Sequence, residues 1–182
     1  KTKVVQHEAM IRDFLKSELD SGAYVMDHEA VFRAATEALT SAERDPELEA
    51  PALEAMAGLA VRYPEGSRYW EWLVSSVKDA SVSSASKTKA MQVVRSGLLD
   101  PDQASSALRL YRFFLDHSEA RLSDLAARTF LQTLTEMRVG GQMERVLRDS
   151  FRTELREILA ALGTAGWLEA GELAGFLELA EG

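Results

Sequence analysis

Apolar residues return at three- and four-residue spacing along nearly the whole chain, and that period leaves few folds open. Val31, Ala35, Ala38 and Leu39 make one such face, and Leu53, Met56, Ala57 and Ala60 a second. Ala126, Phe130, Leu134 and Met137 follow later, and Leu147, Phe151, Leu155, Ile158, Leu159 and Leu162 trace one stripe of a long helix. This spacing gathers side chains on one side of an α-helix. No alternating run bounded by turn residues interrupts it, so no sheet is expected.

Punctuation supplies the boundaries. Asp45-Pro46 and Asp100-Pro101 each put an acid at an N-cap, with proline at the first helical position, where its missing N–H costs nothing. Gly22, Gly97, Gly140 and Gly163 stand where helices end in a left-handed residue. These signals predict about nine helices, at residues 3–19, 27–43, 46–62, 67–79, 86–96, 100–116, 123–138, 142–162 and 169–180.

One turn design recurs. In Gly97-Leu98-Leu99-Asp100 and in Gly166-Trp167-Leu168-Glu169, glycine stops a helix, two apolar residues follow, and an acid opens the next. Gln103 and Glu172 then stand at the reciprocal position of a capping box. Connections this short make sequential helices antiparallel neighbours. The expected fold is all-α, an orthogonal bundle or a short solenoid-like stack in a single domain 1–182. The serine-rich residues 81–86 mark the best junction between subdomains 1–80 and 87–182.

The helix at 100–116 is apolar over most of its circumference. Ala104, Ala107, Leu108, Tyr111 and Leu115 form one face, Leu110, Phe113 and Phe114 widen it, and Arg109, Arg112 and Asp116 leave a narrow polar wedge. Such a helix belongs in an interior, so it is expected at the centre, with Phe113 packed against a second layer.

Composition narrows the function. With 46% hydrophobic and 27% charged residues, the chain has the make-up of an ordinary folded globule. A net charge of −8 makes free nucleic acid a poor partner, because phosphate binding needs a basic footprint. The absence of cysteine excludes disulfides, thiolate metal sites and cysteine nucleophiles. The longest apolar runs are too short to span a bilayer, and no signal-peptide pattern opens the chain. An intracellular, cytoplasmic location is expected, with no membrane partner. The chain opens at Lys1 and not at a methionine, and is expected to be a piece of a longer polypeptide.

No cofactor, metal or catalytic site is expected. His7, His28 and His117 lack a second ligand at helical metal-site spacing. No glycine-rich phosphate loop is present, since Gly140-Gly141 lacks the following lysine. Residues 151–177 resemble an EF-hand, with Gly166, Leu168 and Glu172 at its bend, pairing and bidentate positions. The first three ligand positions, however, are Ala161, Gly163 and Ala165, which offer no side-chain oxygen. Residues 122–137 resemble the first helix of a helix-turn-helix, but the helical period continues where the turn should come. Ala57, Ala60, Pro64, Trp70 and Leu73 are similar to a junction between tetratricopeptide repeats, and the next period does not repeat them.

Two candidate partner surfaces remain. Arg68, Tyr69 and Trp72 belong to an aromatic segment, with Trp72 at the edge of its buried arc, and Trp, Tyr and Arg are the residues of interface hot spots. Arg145, Arg148, Arg152 and Arg156 line one edge of the long helix, suited to a carboxylate-rich or phosphorylated partner protein or to the chain's own acids. The expected function is therefore a non-enzymatic protein-interaction, regulatory or scaffold module. The alternatives are a nucleic-acid-associated module using the arginine stripe, or a cofactor-free helical enzyme. Calcium or zinc should leave the melting temperature unchanged, because a ligand of the native state alone raises it. A saturable upshift with calcium in a thermal scan would restore the EF-hand reading.

Overall fold

The computed structural model describes residues 28–41, 45–147 and 149–181, and every regular element among them is helical. In chain order these are α1 (His28–Thr40), α2 (Pro46–Arg62), α3 (Arg68–Lys78), α4 (Ser84–Leu98) and α5 (Ala104–Leu115). Then come α6 (Ala120–Val139), the single turn α7 (Met143–Val146), α8 (Asp149–Thr164) and α9 (Ala170–Glu181). The helix expected at residues 3–19 lies outside the described residues. No described helix is long and apolar enough to cross a membrane. By internal packing the chain divides into two units, Lys1–Val93 and Val94–Gly182.

In the first unit α2 packs on both α1 and α3. Its alanines make this close approach possible: Ala52, Ala57 and Ala60 are wholly buried beside Leu53 and Met56. The helix starts where the sequence says, with the Asp45 carboxylate accepting from the Glu47 N–H at 2.9 Å. Ser67 caps α3 in the same way, through the Trp70 N–H at 3.3 Å. Glu49 is a buried carboxylate on α2, and a buried charge needs donors. It finds them at the start of α4, in the Ser83 N–H at 2.9 Å and the Ser86 hydroxyl at 2.7 Å. The serine-rich stretch 81–86, expected as a junction, is thus a turn and first helical residues fastened to α2. The units divide further on, between Val93 and Val94.

In the second unit α5 packs against both α6 and α8. Ala104, Ala107, Leu108, Leu110, Tyr111 and Phe114 are all buried, as the wide apolar arc requires. Against α6 it runs antiparallel, for the Ser123 hydroxyl donates to the Leu115 carbonyl and the Tyr111 hydroxyl to the Ala126 carbonyl, the latter at 3.1 Å. Tyr111 also stacks on Phe130 with ring centroids 5.5 Å apart. Burial pushes its phenol above the ordinary value. Against α8 it runs parallel and in register. Ser105 meets Ser150, Arg109 meets Glu154 and Arg112 meets Glu157, each pair 45 residues apart.

Several boundaries differ from expectation: Gly97 lies inside α4, which runs on to Leu98, and Gly140 follows α6 at φ −79°, leaving the left-handed conformation to Gly141 at φ 65°. The acid of Asp100-Pro101 does not open α5 directly. Its carboxylate accepts from the Asp102 N–H at 2.9 Å and from the Gln103 side chain at 2.7 Å, making a turn, and α5 begins at Ala104. Gly163 is not a helix stop either. It lies inside α8, where an added Cβ would come within 2.8 Å of the Leu173 side chain, so it serves the close packing of α9. The long helix expected at 142–162 is broken after Val146, where Leu147 leaves the helical region at φ −73°, ψ 71°. Val146 and Phe151 are both buried, at 1% and 0% exposure.

Phe113 is half-buried, not packed all round as the interior reading expects, while Arg109 and Arg112 are exposed. Leu108→Ala should therefore cost roughly 2–5 kcal/mol, as for large-to-small changes at fully buried sites. Phe113→Ala should cost clearly less, about 1–2 kcal/mol, because part of its surface already faces water. Urea denaturation of the two variants checks the order, and equal costs would show Phe113 to be core.

Candidate functional site

The end of α8 is set by a glycine. Gly166 sits at φ 79°, a conformation that favours a residue without Cβ. Its N–H reaches the Gly163 carbonyl at 3.1 Å, and the Trp167 N–H reaches the Leu162 carbonyl at 2.9 Å. This is the two-bond Schellman ending. The turn holds Trp167 half-buried at the edge of a hollow between α5, α6 and α8, about 130 Å³ in volume. Leu115, Ile158 and Leu162 supply apolar walls, and Ala127, Ala161 and Ala165 leave the space open because their side chains end at Cβ.

The rim is charged. Arg112 bonds Glu157 at 3.1 Å and lies 3.6 Å from Asp116. The three are 54%, 57% and 71% exposed respectively, so one cation is shared between two carboxylates that face water. The Arg128 guanidinium stands over the Trp167 ring, 5.8 Å from its centroid. Beside it on α6, Arg121, Asp124 and Leu125 border a second, open depression, and Leu125 is 39% exposed. The Ser123 hydroxyl on the hollow's wall is engaged by the Leu115 carbonyl.

The aromatic segment expected as a partner surface lies in the first unit. Tyr69 is buried and Trp72 half-buried, its ring edge-on to Phe32 at 6.2 Å. Arg68 is exposed but engaged. It makes a two-point bond to the Glu29 carboxylate and stands over the Phe32 and Tyr69 rings at 4.8 and 5.0 Å. Hydrogen bonding to Glu29, and then to Tyr69, holds its guanidinium above its ordinary pKa. Tyr63 joins this cluster against Tyr69 at 4.5 Å, and hydrogen-bonds His28.

The arginine stripe does not run along one helix. Arg145 falls in α7, with its side chain outside the described residues, and Arg148 lies outside them altogether. Arg152 and Arg156 are on α8, Arg152 half-buried with Nε 3.4 Å from the Leu147 carbonyl and Arg156 exposed. Among the described residues no three His, Cys, Asp or Glu side chains gather as metal ligands. Glu172, at the bidentate position of the EF-hand likeness, accepts from the Glu169 N–H at 3.2 Å, the reciprocal half of the expected capping box on α9. No protein-family model, curated protein or solved structure matches the chain.

Sequence reasoning placed Trp167 in a turn and missed the hollow beside it. The signal available was the glycine before it and the alanines at 161 and 165, but the facing walls come from α5 and α6. The ladder leading up to the rim has one asymmetric rung. Arg109 binds one oxygen of Glu154, and the other oxygen is buried with no hydrogen-bond partner among the described residues. Arg109→Ala should therefore cost about 1–3 kcal/mol by stranding the carboxylate. Glu154→Met should be close to neutral, since an apolar group of similar size replaces a poorly satisfied charge. Equal losses in chemical denaturation would contradict this.

Proposed function

We propose that this chain is a non-enzymatic protein-interaction module, and that the Trp167 hollow receives one apolar side chain of a partner. The observation that carries the reading is the match of volume and lining. At about 130 Å³ the hollow is close to the size of a dry, apolar cavity of roughly 150 Å³ that takes a benzene ring. An apolar anchor in a pocket with a polar rim is the usual make-up of an interface hot spot, and tryptophan and arginine are its favoured residues.

The polar groups at the hollow support binding over catalysis. Ser123 is held by a backbone carbonyl, and Arg112 ties Asp116 and Glu157 together. General acid–base or nucleophilic work needs such groups turned toward a substrate. The same rim speaks against a nucleic-acid ligand, because Asp116 and Glu157 balance Arg112 and the Arg128 over Trp167, leaving no basic footprint for phosphate.

Filling the hollow tests the reading. Ala161 lines it and is exposed, so Ala161→Trp should leave the fold intact. Peptides selected from a displayed library on the wild-type protein should carry one large apolar residue. Their affinity, measured by titration calorimetry, should fall at least about tenfold on the filled variant, or 1.4 kcal/mol. Selected peptides that bind both proteins equally would place the binding surface elsewhere.

A further inference from the structure

We draw no further inference here: the strongest candidate, the open depression on α6 bordered by Arg121, Asp124, Leu125 and Arg128, sets two arginines and an aspartate around one leucine that is 39% exposed, and nothing in the structure shows what covers it.

Discussion

The second unit depends on the parallel register between α5 and α8. Apolar burial on both helices, Leu108 on α5 and Phe151, Leu155 and Leu159 on α8, supplies the attraction, and that attraction is indifferent to sliding. The polar ladder removes the indifference. Ser105–Ser150, Arg109–Glu154 and Arg112–Glu157 share one offset along the two helices, so a slip of one turn would break all three. As mostly exposed pairs they add little stability each. Their effect is to choose among alignments that the apolar faces alone would tolerate. Along the hollow that alignment sets Leu115 and Arg112 of α5 beside Ile158 and Ala161 of α8.

Glu49 plays a comparable part in the first unit. An acid buried on α2 is costly unless its oxygens are satisfied, and the donors that satisfy it open α4. A misplaced turn at Ser83–Ser86 would leave the carboxylate stranded, so burial of one polar group fixes where the next helix begins. The cluster around Arg68 works differently, since Glu29, Phe32 and Tyr69 already occupy the guanidinium. That arrangement ties α1 to α3 and makes the aromatic segment part of the fold before it can be anything else.

Features set by neighbours in sequence were legible, and features set by distant residues were not. The all-helical class, the cap at Asp45, the Glu172 bond back to Glu169 and the polar wedge of α5 follow from spacings of a few residues, although Asp100, read by the same local rule, makes a turn instead of a cap. The break after Val146 was hidden because the apolar period of α8 can be extended backwards without conflict. Gly163 looked like a helix stop, yet Gly166 adopts the left-handed turn and Gly163 makes room for Leu173. The hollow was illegible for the same reason as the Arg109–Glu154 pair, because no local pattern records which faces of three helices will meet.

Trp167 gives the second unit an optical property of its own. It is the only indole in Val94–Gly182, for Trp70 and Trp72 both belong to the first unit. One side of its ring borders the hollow, and the Arg128 guanidinium stands over the ring. Entry of an apolar group would replace water next to the chromophore, while the cation over the ring stays in place. The difference in emission between the wild type and a Trp167→Phe protein is therefore a label-free gauge of occupancy, built into the turn that forms the site.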